Sequence, residues 1–588
     1  MRYNKLKKIL ALILTAAMIF TFAACSSAEA GTNTDQQTTT AEETTTEETT
    51  ETTADDDMFT ERDLAGTYDE AEAKNITLAD GNSSTDVSGV TISGDTITIT
   101  EDGVYVLSGT LTDGQIQVEA DDSAKVQLVL KGVSITNNSS AAIYVKSADK
   151  VFITLAEGSE NTLAVTGDYV QTDDNSVDAA IFSKDDLTIN GSGALTVKAA
   201  YGHGVVSKDD LKITGGNITV EAAKKALSGN DSVRIADGDI KLISGTDSIH
   251  AEDSDKDIGL VYISGGNIEI ESGDDGIHAH KDLIIDGGTI TIKKSVEGLE
   301  GNTVTINDGT VDVTSSDDGI NAAGDSTSGN KNDMMATDDS CMITINGGHV
   351  HVNAEGDGID SNGNIEVNGG ETYVEGPTNS GNGSIDTGGS GQAVINGGYF
   401  IATGSSGMAV NFSSESKQCA IMVNVNQATG TAELKDSEGN VLISSDTKKQ
   451  YSNVLVSTPE IKDGGTYVIS AGGNEQSITM NGTIYGEAGG MQGGRMQGGP
   501  GNFGQSGGPG NFGQNGDQGE NSDDENSDQG RGPGNGGHGG GPGNFGQGGG
   551  PSGGPGNFNP GNGAQDGEQS NNDSQSDQAS DDEGGIGV

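Results

Sequence analysis

ITGGNITV (residues 213–220), IADGDIKL (235–242), ISGGNIEI (263–270) and IDGGTITI (285–292) are four copies of one phrase. It returns as INDGTVDV (306–313), INGGHVHV (345–352), VNGGETYV (367–374) and INGGYFIA (395–402). Each copy joins a Gly corner to a run in which aliphatic and polar residues alternate. The starts fall 22, 28, 22, 21, 39, 22 and 28 residues apart, a base period near 22 with insertions. A fixed period of this size marks a solenoid. Period-two alternation with no 3.6-residue pattern makes it all-β, a right-handed parallel β-helix with one coil per repeat. Ile, Val and Leu then point inward, and Thr, Asn, Asp and Lys face solvent. Gly-Gly serves corners where φ is positive and coils stack closely.

Working outward, less regular strands at 104–107, 126–130, 151–155 and 187–189 extend the helix upstream to roughly fourteen coils, spaced about 4.8 Å apart. The β-helix domain is assigned to 58–419, with a short lead-in at 58–73. Residues 420–486 have longer strands and no 22-residue period, and are assigned to a small β cap that closes the C-terminal edge. The Thr/Glu-rich stretch 25–57 has almost nothing to bury and reads as a disordered stalk. The tail 487–588, with PGNFGQ at Pro500, Pro509 and Pro542, is too Gly-rich to fold.

Residues 1–24 read as a signal peptide: Arg2, Lys5, Lys7 and Lys8 precede an apolar run too short to span a membrane. It ends in Phe22-Ala23-Ala24-Cys25, a lipobox-like sequence in which Cys25 is the expected lipid anchor. Two acyl chains hold a protein stably on a membrane where one does not. The expected location is therefore extracellular, on the outer face of the cell membrane. Cys341 and Cys419 remain; export permits a disulfide, and their spacing leaves pairing open.

The chain of 588 residues carries a formal net charge of −59, with Gly at 94 positions, aromatics at 4% and no Trp. So acidic a chain lacks the clustered cations that nucleic acid binding requires. Only five Arg occur, which argues against an enzyme that clamps its substrate with several guanidinium groups. The missing Trp weighs against aromatic platforms for neutral sugars.

A second element recurs once per coil: GTDSIH (245–250), GDDGIH (273–278), VEGLE (296–300), SDDGIN (316–321), GDGID (356–360) and NGSID (382–386). Stacked coils place Asp247, Asp275, Glu297, Asp318 and Asp357 in one column. His250, His278, Glu300, Asn321, Asp360 and Asp386 form the next. Two carboxylates about 4.8 Å apart repel by about 3.5 kcal/mol at an effective dielectric near 20. Such a ladder calls for cations, and calcium, which takes six to eight oxygen ligands, suits it best. The expected metal ligands are Asp247, Asp274, Asp275, Glu297, Glu300, Asp317, Asp318, Asp357, Asp360 and Asp386. A plain acidic turn is the alternative for any single copy. The pairs His278/His280 and His349/His351 lack the third and fourth ligands zinc needs, and read as surface histidines.

These features together resemble a family of bacterial cell-surface carbohydrate-binding β-helix proteins, pectate-lyase-like in fold, which bind calcium and polygalacturonate. The resemblance covers about 58–486. It rests on MFTERDL…YDE (58–70), the GDDGIH and SDDGIN coils, the INGG corners and YSNVLVSTPEIKDGGTYVISAGG (451–473). It implies non-catalytic, calcium-dependent binding of acidic polysaccharide, and the expected state is a monomer. The rival is a pectate lyase or polygalacturonase on the same fold. Lyases resembling this architecture use a cationic base, and the β-helix offers only Arg234, with Lys281 or Lys293 as weaker substitutes. Gly202-His203-Gly204 is similar to a polygalacturonase motif, but the Asp-Asp-Gly coils follow it instead of preceding it. A structural surface protein or adhesin is the third reading.

Overall fold

The computed structural model describes residues 58–253, 256–324 and 338–486. The leader, Cys25, the stalk and the Gly-rich tail lie outside the described residues. Within them, Ile213, Ile235, Ile263, Ile285, Ile306 and Ile345 stack in parallel register, one per coil. Leu211, Val233, Val261, Leu283, Val304 and Ile343 form the adjoining stack, and all twelve are fully buried. Burial of an aliphatic side chain contributes about 1.5–3 kcal/mol, so these stacks are the main cohesive force between coils. The result is a parallel β-solenoid of about twelve turns, followed by an antiparallel C-terminal cap.

The turn count is about twelve rather than fourteen; near the N-terminal end Val90–Ser93 and Thr96–Ile99 pair antiparallel. Gly94, at φ +61°, lets the chain double back there into a hairpin, whose second strand joins the solenoid by pairing parallel with Gln115–Glu119.

The corner glycines are dictated by contact. Gly288 has φ +90°, and a Cβ there would come within 3.0 Å of the Gly265 backbone of the preceding coil. Beside these corners runs an asparagine ladder. Asn346 donates to Asn307 at 2.7 Å, Asn368 to Asn346 at 2.9 Å, and Asn396 to Asn368 at 2.8 Å. Asn307 ends the run on Asp286 at 2.7 Å.

The lead-in is a strap laid across the outer face of the coils. Thr60 caps the short helix Glu61–Ala65 through a capping box with Asp63. The Asp63 carboxylate is fully buried, 2.8 Å from Lys150 Nζ, and accepts from Thr188 Oγ1 at 2.6 Å. The Arg62 guanidinium covers the Phe152 ring at 4.4 Å, and Phe59 packs on Tyr262. Arg234 donates to the Met58 carbonyl at 3.2 Å and pairs with Asp210 at 3.3 Å.

At the other end, Tyr399–Gly404 pairs antiparallel with Val441–Ser457, which pairs in turn with Ala420–Lys435. A separate apolar cluster, including Ile421, Val456 and Ile469, supports this cap. Its long strands cover the last parallel rung. Cys341 is buried, Cys419 is partly exposed, and both are free thiols.

Candidate functional site

Six short segments build the site: Ile249–Ala251, the start of Ile277–Ile285, the start of Leu299–Ile306, Ile320–Ala322, Ile359–Ser361 and Ile385–Thr387. Their outer residues, Thr387 excepted, are buried, and the middle residue of each lies on the opposite face. Those residues stack in register as His250, His278, Glu300, Asn321, Asp360 and Asp386. The neighbouring column follows from backbone hydrogen bonds between coils. Gly276 N–H donates to the Glu297 carbonyl, Gly298 to Asp318 and Gly319 to Asp357, at 2.9–3.0 Å.

Glycine follows four of the five acids, Asp275, Glu297, Asp318 and Asp357, and Ser248 follows Asp247. A Cβ on Gly319 would lie 2.2 Å from Val352 Cγ1 and 2.5 Å from the Gly358 carbonyl. In these four coils Acid-Gly is thus a packing requirement that also holds the acid at a fixed height on the coil.

The two columns divide into unlike halves. In the N-terminal half each acid meets a cation. Asp247 lies 2.8 Å from His250 Nδ1 and 3.8 Å from Lys225 Nζ. Burial works against its charge, yet His250 and Lys225 hold its carboxyl below the usual range. His278 Nδ1 lies 2.6 Å from Glu300 and 3.6 Å from Asp275. Burial again opposes the charge, but the two carboxylates push His278 up to about 10. The His250 and His278 rings stack at 4.8 Å.

The C-terminal half is all oxygen. Asp318, Asp357 and Asp360 bring one carboxylate oxygen each to within 4.8 Å of one another. Asp318 accepts from the Asp357 N–H at 2.6 Å, and Asp357 accepts from the Gly383 N–H. Burial, followed by mutual repulsion, raises Asp357 to about 8 and Asp360 to about 7. Burial and neighbouring charge raise Asp318 to about 6 and Glu297 to about 8. Asp386 is raised by burial. Asn321 donates from Nδ2 to Glu297 at 2.8 Å, and its Oδ1 is buried without a donor. An orphaned acceptor among crowded carboxyls is a donor set that could hold a cation. The hard-oxygen donor set fits calcium.

Asp274 and Asp317 are exposed beside the columns, outside both clusters. Neither the histidine buffering of Asp247 and Asp275 nor the isolation of the all-oxygen group was part of the sequence reading. The signal lay in how the copies end, His in GTDSIH and GDDGIH but Glu, Asn or Asp in the later coils. Arg234 is held by the strap and Asp210, on a different face from the acidic columns. His203 lies 3.4 Å from Asp178, Lys281 lies 2.7 Å from Asp257 and Lys293 lies 2.6 Å from Glu269.

Residues 93–339 match the family of carbohydrate-binding domain-containing proteins. A protein of that description from Acetivibrio thermocellus is 42% identical over 155 residues, 26% of this chain and 54% of its own. The chain thus spans about half the length of that curated relative. A solved polysaccharide lyase-like protein from C. thermocellum, a gadolinium derivative, is 41% identical. The match covers 38% of this chain and 91% of that one, with a TM-score of 0.37.

Proposed function

We propose that this is an exported, lipid-anchored protein of the outer cell surface that binds acidic polysaccharide, polygalacturonate (pectin) foremost, through calcium and without cleaving it. The supporting observation is the all-oxygen cluster of Asp318, Asp357 and Asp360, bordered by Glu297, Asp386 and the orphaned Asn321 Oδ1. Asp318, Asp357 and Asp360 would hold the ion, with Asn321 Oδ1 as a neutral donor. Calcium bound there supplies positive charge and further coordination positions for carboxylates.

The residues themselves prepare that role. Backbone N–H groups of Asp357 and Gly383 orient the Asp318 and Asp357 carboxylates. Coil stacking sets the acids at intervals of about 4.8 Å along the rod. A polyanionic chain and a strongly acidic protein repel unless a cation joins them. Joint carboxylate ligation therefore gives selectivity for uronates over neutral sugars.

Binding is favoured over elimination by the position of Arg234. The guanidinium that a lyase would place beside the acids is tied into the strap. Incubation of purified protein with polygalacturonate in calcium tests both parts of the reading. Retention on the polymer without unsaturated uronides or new reducing ends supports it; either product overturns it.

A further inference from the structure

Two segments one coil apart read His-Ala-Glu (250–252) and His-Ala-His (278–280). In register His250 faces His278 and Ala251 faces Ala279, and both alanines are buried in the core. His250, Glu252, His278 and His280 therefore occupy the corners of an outward-facing rectangle. One side is a coil spacing of about 4.8 Å, and the other is two strand residues, about 6.6 Å. All four line a single cavity of about 350 Å³. The His250 and His278 rings lie parallel, 4.8 Å apart and 14° from coplanar alignment. Glu252 brings a carboxylate oxygen to 3.2 Å from His250 Nε2.

Each imidazole is backed by a carboxylate on one ring nitrogen. Asp247 sits 2.8 Å from His250 Nδ1, Glu300 2.6 Å from His278 Nδ1, and Asp257 3.1 Å from His280 Nε2. Metal-ligating histidines are commonly held by a carboxylate on one ring nitrogen in this way.

We infer that His250, His278, His280 and Glu252 form a transition-metal site, zinc by its donor set, separate from the all-oxygen cluster two coils further along. Three imidazole nitrogens and one carboxylate oxygen match tetrahedral zinc in type and number. Calcium, which seeks six to eight oxygens, is poorly served by them. No three of these four bring ligand atoms within 4.8 Å of one another, and zinc–nitrogen bonds of 2.0–2.1 Å at tetrahedral angles put ligand nitrogens about 3.4 Å apart, so zinc binding would require the side chains to rotate inward. The objection that His-Ala-His lacks further ligands is met by the preceding coil.

Titration calorimetry of the full-length, metal-stripped protein with zinc chloride, in calcium sufficient to fill the carboxylate sites, tests this. Zinc should bind one tight site. Replacing His278 and His280 together by Ala should weaken it at least about 100-fold, and Asp247→Asn, behind His250, by about 10–100-fold. Asp318→Asn with Asp357→Asn should leave zinc affinity unchanged while removing the calcium response. A cooperative melting transition and a parental far-UV circular dichroism spectrum show that the variants fold. Cobalt(II) in place of zinc should show the visible bands of a four-coordinate ion. Zinc binding abolished by calcium, parental affinity in the His278/His280 variant, or zinc loss in the Asp318/Asp357 variant would each overturn the assignment.

Discussion

The backbone N–H of Asp357 donates to Asp318 Oδ1 at 2.6 Å across 39 residues of sequence. Two acids that repel one another are thereby held one coil apart by the fold. Without a cation this is a destabilised arrangement, which leads to a paired outcome. Asp318→Asn with Asp357→Asn should raise the melting temperature in chelator, because two buried carboxyls are replaced by neutral amides. The same variant should lose most of the calcium-induced rise, which for the parent corresponds to about 2.7 kcal/mol at a hundredfold excess over Kd. Melting curves with and without calcium read both effects.

Asp63 and Lys150 close the strap from 87 residues apart. Asp63→Asn removes the nearer of Lys150's two carboxylate partners and leaves Asp186 at 3.7 Å, so the cost should lie toward the lower end of the roughly 3–5 kcal/mol for breaking a buried pair. The strap region should become protease-sensitive before the coils do. Limited proteolysis, with fragments mapped to residues near 58–70, checks this.

The same pair sets an acid limit. Burial raises the Asp63 carboxyl, but Lys150, Thr188 and Thr60 outweigh it and bring it from 3.8 to about 2. A folded value below the unfolded one means stability that is present above about pH 4 and lost as pH falls toward 2. The contribution is about 2 kcal/mol. The stability gap between parent and Asp63→Asn should narrow by that amount between pH 5 and pH 2, measured by denaturant titration.

Gly319→Ala separates packing from charge. Its Cβ would meet Val352 Cγ1 and the Gly358 carbonyl, so it should destabilise by about 1–3 kcal/mol with or without calcium. Asp318→Ala, one residue earlier, should act mainly through calcium. Thermal melts of the two variants distinguish them.

Much of this fold was legible because its cause is local and repeated. Ile-x-Gly-Gly followed by alternation fixes strand, corner and inward face within eight residues, and a constant period fixes register. The stacking of Asn321 on Asp360 follows from that register alone. The strap was not legible in these terms: MFTERDL has no period, and Asp63 finds Lys150 and Thr188 only after the coils exist. Nor does Val90–Ile99 announce a hairpin, since its alternation equals that of a coil strand and only the Gly94 turn differs. The division of the acidic columns depends on which side chains meet across coils, so His278 and Glu300 have to be paired in space before either has a role.

The central claim, calcium-bridged binding of an acidic glycan at the all-oxygen cluster, is tested most directly by affinity electrophoresis in polygalacturonate gels. Parent protein and the Asp318→Asn, Asp357→Asn variant are run in calcium and in chelator. Retardation of the parent in calcium alone, with the variant unretarded in both, is the predicted result. Retardation that persists in chelator, or a variant retarded as strongly as the parent, would contradict it.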